Sequence, residues 1–145
     1  MMEITGDIWK YHDAGFPIVI TTNGFINKRA ECVMGRGVAL DMKQRYPEFP
    51  GKLATHIRMN GNRVGFFKPY NVFTFPTKHN WYEKSDLVLI EQSALHLSMA
   101  VNWLEFDKVY LVRPGCSNGK LQWPDVKPVI EKYFDERFIV VQNEI

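Results

Sequence analysis

Cysteine and long apolar runs are scarce in this sequence of 145 residues, and each shortage excludes a class of protein. Two cysteines, Cys32 and Cys116, are too few for the disulfide framework of a small secreted domain. The first residues lack the basic stretch and apolar run of a signal peptide, so we expect a reducing, cytoplasmic location. Because no apolar run approaches the ~20 residues of a membrane-spanning helix, we expect no membrane association.

Net charge is also low, and neither internal repeats nor metal-ligand patterns are present in the sequence. Eighteen basic and sixteen acidic residues leave a formal charge of +2, which is too small to predict a nucleic-acid groove. The basic residues are scattered among acidic ones rather than gathered with aromatic residues, so a plain single-stranded nucleic-acid binder is the least favoured function. The four histidines show no metal-ligand spacing, so we predict neither a metal site nor a cofactor.

The chain does contain enough apolar material for a folded core. Hydrophobic residues make up 46% of it, so its 145 residues are expected to form a single domain spanning 1–145. The run 18–22 is almost continuously β-branched, which is typical of a strand buried on both faces of a parallel sheet. The pattern of apolar runs predicts an α/β fold with a central, largely parallel sheet. Further strands are predicted at 1–5, 64–68, 71–75 (ended by Pro76), 108–113 and 138–141. Helices are predicted from Gly37 to just before Pro47, at 52–59, at 87–104, and from Trp123 onward.

A glycine-bearing loop leads from strand 18–22 into the helix that starts at Gly37. Glycines at 35 and 37 let backbone N–H groups approach a ligand closely. The free amides and the dipole of a helix N-terminus favour an anion, most often phosphate. A tight turn that contacts no ligand is the alternative, because short glycine motifs recur by chance.

A second glycine-bearing loop, Gly115-Cys116-Ser117-Asn118-Gly119, leads from strand 108–113 to the helix at Trp123. In an open α/β sheet both loops emerge at the carboxyl ends of the strands, where such sheets bind ligands. Two amide-rich loops that meet at one crevice suit a diphosphate better than a monophosphate. The P-loop and dinucleotide-binding glycine fingerprints are both missing, so a nucleoside diphosphate derivative is the predicted ligand.

Asp7 and Cys116 are the two isolated side chains that need an interpretation. Asp7 follows the first predicted strand, and capping a turn or a helix is the commoner use of an aspartate there. Cys116 has no histidine placed beside it by a recognisable pattern, so a small loop residue is favoured over a nucleophile.

Five segments, taken in order along the chain, together resemble the macrodomain family. They are Gly6-Asp7-Ile8, Asn23, and the stretches 33–40, 75–81 and 115–123. The sequence is similar to the branch that contains the DarG antitoxin, which removes ADP-ribose from thymidine in DNA. The resemblance spans most of the chain and implies a three-layer α/β/α fold with a central mixed, largely parallel sheet and a cleft for ADP-ribose.

The resemblance also implies a role for each matched residue. Asp7 would accept a hydrogen bond from the adenine amino group, with Ile8 beside the ring, and Asn23 would lie near the distal ribose. Trp81 and Trp123 would brace the loops. The first loop would hold part of the diphosphate through Met34, Gly35, Arg36, Gly37, Val38 and Ala39. The second loop would wrap the phosphates and the distal ribose through Gly115, Cys116, Ser117, Asn118 and Gly119. Three residues and one segment depart from the family pattern: Arg36 replaces a lysine, Ser117 and Lys120 replace glycines, and residues 26–31 resemble an insertion in the first loop.

Lys78 matches the lysine that this branch uses for hydrolysis. Breaking a bond at the anomeric carbon needs stabilisation of positive charge, an acid and a nucleophile, and the sequence offers no carboxylate pair for this. Lys78 would instead attack the aldehyde of a ring-opened distal ribose to form a Schiff base, if a cation such as Arg36 or Lys120 lowers its pKa. A solvated lysine or a counter-charge for phosphate is the alternative, and His79 is a weak acid candidate.

Three functions follow from this interpretation. The first is an ADP-ribosyl hydrolase of DarG type, whose substrate is an ADP-ribosylated molecule such as ADP-ribosylated single-stranded DNA. The second is a non-catalytic ADP-ribose reader, and the third is a phosphatase acting on ADP-ribose 1''-phosphate. The acceptor, the biological partner and the oligomeric state are not predicted by the sequence.

Overall fold

Six strands form one sheet in the computed structural model of the chain, which describes residues 1–143. The strands are β1 (Met2–Gly6), β2 (Ile18–Asn23), β3 (Gly65–Phe67), β4 (Val72–Lys78), β5 (Val109–Val112) and β6 (Phe138–Asn143). Their order across the sheet is β1-β6-β5-β2-β4-β3. All neighbours are parallel except β3, which is antiparallel to β4. The predicted mixed, largely parallel sheet is therefore confirmed.

Five helices within the described residues cover the two faces of the sheet. They are α1 (Ile8–Asp13), α2 (Gly37–Arg45), α3 (Phe49–Asn60), α4 (Leu87–Trp103) and α5 (Trp123–Glu131). The first three pack on one face through residues such as Met42 and Leu53, and the last two pack on the other through residues such as Leu97 and Ile130. This arrangement is the three-layer α/β/α fold. Within residues 1–143, no helix combines the length and the apolar character that crossing a membrane requires.

Strand β2 shows how the sequence specifies these layers. Ile18 and Ile20 belong to the core on the side of α1 to α3, and Val19 belongs to the core on the side of α4 and α5. Successive side chains of a strand point to opposite faces, so a β-branched run fills both cores. All three side chains are at most 1% exposed, which confirms the prediction of a strand buried on both faces.

Strand β4 continues through Pro76, where the sequence predicted its end. Pro76 pairs with Thr22 of β2, whereas β3 pairs with β4 only as far as Thr74. Beyond Thr74 one side of β4 has no neighbouring strand among residues 1–143, and a proline, which lacks an N–H donor, is tolerated there. The prediction was wrong for this reason, and the extension brings Lys78 to the end of the sheet.

Two helices also differ from the predicted ones. No helix was predicted directly after the first strand, where the structure has α1, because the six residues of α1 are too few to display an apolar period. Helix α3 begins at Phe49, three residues before the predicted start. Pro50 occupies its first turn, where a missing N–H breaks no intrahelical hydrogen bond.

Candidate functional site

The carboxyl ends of four parallel strands bring the predicted site segments to one edge of the sheet. Asp7 follows β1, Asn23 ends β2 and Lys78 ends β4. Between β2 and α2 lies the first loop (24–36), between β4 and α4 the third loop (79–86), and between β5 and α5 the second loop (114–122). Because β2 lies between β5 and β4, the first loop starts between the other two. This is the edge at which open α/β sheets bind ligands.

The first and second loops and Lys78 meet at Asn118. A Cβ placed on Gly37, at the start of α2, would lie 3.6 Å from Asn118 Nδ2. The main-chain oxygen of Asn118 accepts a hydrogen bond from Lys78 Nζ at 3.2 Å, and the main-chain oxygen of Trp81 accepts one from the same atom at 3.4 Å. The two predicted loops therefore converge, with the predicted catalytic amine at their junction.

Asn23 shapes the first loop. Its Nδ2 donates to the main-chain oxygen of Val33 at 2.9 Å, and its Oδ1 accepts from the N–H of Phe25 at 2.9 Å. Cys32 Sγ donates to the Asn23 main-chain oxygen at 3.3 Å. Asn23 thus closes the loop across its base. Among the predicted ligand-binding residues beyond Val33, the structure buries Met34 and Ala39, half-buries Val38, and exposes Gly35, Arg36 and Gly37.

The N-terminus of α2 is open toward this crevice. Arg36 is the N-cap residue, and its side chain makes no capping hydrogen bond. The first-turn N–H groups of a helix have no intrahelical acceptor, so in the absence of a side-chain cap they are available to an anion.

Two residues with left-handed backbone conformation shape the second loop. Gly115 has φ 75° and Lys120 has φ 63°. The N–H of Leu121 donates to the main-chain oxygen of Gly115 at 2.8 Å, which closes the loop. Lys120 replaces a glycine of the family pattern yet keeps a backbone conformation that glycine favours, so the path of the loop is retained. Ser117 and Asn118 are exposed at its tip.

Ser85 and Asn62 support the site, although the sequence did not suggest them. The N–H of Ser85 donates to the main-chain oxygen of Gly119 at 3.0 Å, which ties the third loop to the second. Ser85 Oγ is buried, has no hydrogen-bond partner among residues 1–143, and contacts the position that a Cβ on Gly119 would take. Asn62 Nδ2 donates to the main-chain oxygen of Lys78 at 3.0 Å. Neither residue belongs to a recognisable motif.

Lys78 is a partly buried amine close to other cations. Partial burial, followed by the charges of Arg36 and Lys120, lowers the pKa of Lys78 below the ordinary value for lysine. The sequence predicted the effect of the two cations, whereas the larger effect of burial depends on the fold. A lowered pKa increases the fraction of neutral, nucleophilic amine near neutral pH.

Asp7 caps α1 and is also exposed at the edge of the site. Its Oδ1 accepts from the N–H of Trp9 at 3.0 Å, which is the commoner use expected of this residue. The side chain remains exposed, so its second oxygen can still accept a hydrogen bond from a ligand. Ile8 is only 2% exposed and packs in the core, which leaves its main chain as the part that a ligand can contact.

Cys116 and His79 are not arranged as catalytic groups. Burial raises the pKa of Cys116 to about 11, so the side chain is a neutral thiol near pH 7, in line with a small loop residue. His79 Nε2 lies 2.9 Å from Asp86 Oδ2, and the hydrogen bond from His79 lowers the pKa of Asp86. Asp86 also accepts from the N–H of Val88 at 2.9 Å as the N-cap of α4. His79 is thus held at the start of that helix.

Curated proteins with related sequences carry one name. No protein-family model matches the chain. Proteins named DNA ADP-ribosyl glycohydrolase from Mycobacterium tuberculosis and Thermus aquaticus are each 28% identical to it, over 113 and 109 residues respectively. These matches cover 72% and 69% of this chain, and 32% and 30% of the relatives. The chain therefore spans about a third of the length of the curated relatives it matches.

Solved structures with the same fold extend over nearly the whole chain. The macrodomain of Mycobacterium tuberculosis DarG superposes with a TM-score of 0.78 at 22% identity, and that of Thermus aquaticus DarG with 0.74 at 25%. Each comparison covers 99% of this chain and 97% of the other. The chain has the fold of the DarG macrodomains. The resemblance to that branch is thereby confirmed, whereas the roles of individual residues in this chain stay predictions.

A third solved structure, Thermosipho africanus DarTG in complex with ADP-ribose, has a TM-score of 0.80 at 17% identity. It covers 99% of this macrodomain and 41% of the Thermosipho chain. At this identity the likeness supports the macrodomain fold alone.

Proposed function

We propose that this macrodomain binds ADP-ribose in the crevice between the first and second loops and hydrolyses ADP-ribosyl conjugates, with Lys78 as the catalytic residue. The observation that carries the proposal is the position of Lys78 Nζ, 3.2 Å from the main-chain oxygen of Asn118 where the two loops meet. The name that the curated relatives share, DNA ADP-ribosyl glycohydrolase, makes DNA the first acceptor of the ADP-ribosyl group to test.

The crevice suits a diphosphate for two reasons. The first-turn amides of α2 and the main chain of the second loop offer donors from two sides, one set for each phosphoryl group. Arg36 and Lys120 are exposed and have no ion-pair partner within residues 1–143, so their charges remain available to an anion. An anion bound between them would also relieve their mutual repulsion.

The proposed chemistry uses the neutral amine of Lys78. The amine attacks the anomeric carbon of the distal ribose, and the acceptor leaves with the electrons of the glycosidic bond and a proton. Opening of the ribose ring gives a Schiff base with Lys78. Water then hydrolyses the Schiff base, which releases ADP-ribose and restores the amine.

Calorimetric titration with ADP-ribose, NAD and AMP tests binding, and incubation with ADP-ribosylated single-stranded DNA tests turnover. We expect selective binding of ADP-ribose and release of ADP-ribose from the DNA. Failure to bind ADP-ribose would refute the proposal as a whole. Tight binding without turnover of any conjugate would indicate a reader, and phosphate release from ADP-ribose 1''-phosphate would indicate a phosphatase.

Substitution of Asp7 is expected to separate recognition of adenine from capping of α1. Asp7→Asn keeps an oxygen that can accept from Trp9 but replaces the second oxygen by a donor, which cannot accept from the adenine amino group. Stability should therefore be preserved while the Kd for ADP-ribose rises about tenfold. Asp7→Ala should lose the same affinity and, in addition, about 1 kcal/mol of stability. Calorimetry and thermal unfolding measure the two effects, and wild-type affinity in Asp7→Asn would contradict the proposed contact.

The rate of ADP-ribose release is expected to rise with pH as Lys78 loses its proton, and to level off below the ordinary pKa of lysine. Arg36→Gln removes a cation that lowers the pKa of Lys78, so the rise should move to higher pH. Lys43→Gln is the control, because Lys43 is exposed on α2 and does not affect the pKa of Lys78. A pH profile of kcat that is the same for all three proteins would argue against a neutral amine as the reacting form.

A further inference from the structure

Trp81 and Tyr82 are large aromatic side chains exposed in the third loop, next to Lys78. Trp81 is 51% exposed and Tyr82 is 65% exposed. The family resemblance implied that Trp81 braces a loop, and about half of its surface is also open to solvent. Their ring centroids are 5.5 Å apart and their planes are at 89°, so the two rings form an open corner. Exposed aromatic surface of this size gains free energy when a ligand covers it.

Hydrogen bonds fix this corner beside the catalytic amine. The main-chain oxygen of Trp81 accepts from Lys78 Nζ at 3.4 Å. The N–H of Glu83 donates to the main-chain oxygen of Asn80 at 3.2 Å, and Asn80 Nδ2 donates to the Glu83 carboxylate at 2.6 Å. The main chain that carries the two rings is therefore held in place before a ligand arrives, which lowers the entropy cost of binding.

The charges around the corner favour an anionic ligand. Lys84 is exposed and, like Arg36 and Lys120, has no ion-pair partner within residues 1–143. Of the two carboxylates in the third loop, Asp86 pairs with His79 at the start of α4, whereas Glu83 accepts a hydrogen bond from the neutral amide of Asn80 and keeps its charge. The sequence scatters its basic residues, but the fold brings Arg36 and Lys120 close enough to Lys78 to lower its pKa. Lys78 in turn contacts the main chain of Trp81.

We propose that the Trp81–Tyr82 corner holds one unmodified base of a single-stranded nucleic acid, next to the nucleotide whose ADP-ribosyl group occupies the crevice. Stacking on an aromatic face combined with basic contacts to the backbone is how proteins bind single strands without reading their sequence. Two rings at right angles cannot stack on two successive bases, so the corner accommodates a single base. Lys84, in the same third loop, would contact a backbone phosphate of the nucleic acid.

This inference rests on the proposed function and identifies the acceptor side of the same site. Its test measures the affinity of a dye-labelled single-stranded oligonucleotide carrying one ADP-ribosylated base, by fluorescence anisotropy. All proteins carry Lys78→Arg so that the substrate persists. Trp81→Ala and Tyr82→Ala should each weaken binding of the oligonucleotide about tenfold, and Trp81→Phe should retain most of the affinity. Lys84→Gln should lower the slope of log affinity against log salt by about 0.7.

Three comparisons make the result decisive. ADP-ribose alone should bind equally well to all of these variants, and an ADP-ribosylated peptide should be insensitive to Trp81→Ala. Trp103→Ala should change nothing, because Trp103 is 86% exposed but lies at the far end of α4, about 24 Å from its start. Equal affinity of Trp81→Ala and its parent for the oligonucleotide would overturn the inference, and so would an equal loss on the peptide. Failure of ADP-ribose to bind would instead refute the proposed function.

Discussion

Replacing Lys78 by alanine is expected to lower the rate of ADP-ribose release at least about a hundredfold. Lys78 is the amine at the junction of the two loops, and removing it leaves no nucleophile of comparable reactivity there, since Cys116 is a neutral thiol near pH 7. The affinity for ADP-ribose should change little, because the diphosphate is expected to contact the loop main chains. Single-turnover release from an ADP-ribosylated oligonucleotide, with calorimetry on the same samples, measures both quantities.

Lys78→Arg distinguishes a nucleophile from a counter-charge. Arginine keeps the positive charge but cannot supply a lone pair at neutral pH, so this variant should be as inactive as Lys78→Ala. Borohydride added during turnover should reduce a Schiff base to a stable secondary amine, which mass spectrometry would locate on residue 78 of the wild type. A wild-type rate in Lys78→Arg, with no trapped adduct, would show that Lys78 serves only as a counter-charge for phosphate.

The positions of strands and helices along the chain could be predicted where a local pattern determines the structure, whereas the order of the strands across the sheet could not. The β-branched run of β2 and the apolar period of α4 reflect burial that follows directly from side-chain spacing. The end of β4 could not be predicted, because a proline is tolerated at residue 76 only where β3 has already ended. The extent of one strand thus depended on the length of its neighbour, which no local pattern in β4 reveals.

The site shows the same division between local and distant causes. Glycine-bearing loops after parallel strands were visible in the sequence, and so was the influence of Arg36 and Lys120 on Lys78. The supporting role of Ser85 was not visible in the sequence, because it depends on contact with Gly119, 34 residues away along the chain. A single serine has no spacing that would indicate such a contact. The exposed corner of Trp81 and Tyr82 also emerged only from the fold, since the sequence of a polar loop does not show how much of a large aromatic side chain is covered by other segments.

Replacing Gly119 by alanine is expected to disrupt the second loop and, with it, both binding and turnover. A Cβ at this position would collide with Ser85 Oγ and would lie 2.5 Å from the main-chain oxygen of Gly115. The loop must therefore move, which should cost about 1 to 3 kcal/mol of stability, as overpacking commonly does. A displaced loop would also misplace Asn118 relative to Lys78, so the rate of release should fall about a hundredfold. Thermal unfolding and single-turnover kinetics measure these effects.

Two further variants test whether crowding causes the losses seen in Gly119→Ala. They are the control Gly51→Ala and the double variant Gly119→Ala with Ser85→Ala. Gly51 lies in α3, and among residues 1–143 no atom outside its chain neighbours and its own helix backbone lies within 4 Å of its Cβ position. Alanine there should leave stability unchanged or raise it by about 0.5 to 1 kcal/mol. Ser85→Ala alone should be tolerated, because its buried hydroxyl has no partner among residues 1–143. The double variant should recover part of the stability lost by Gly119→Ala, since removing Oγ relieves one of the three close contacts. Strict additivity of the two substitutions would mean that Ser85 does not hold Gly119 in place.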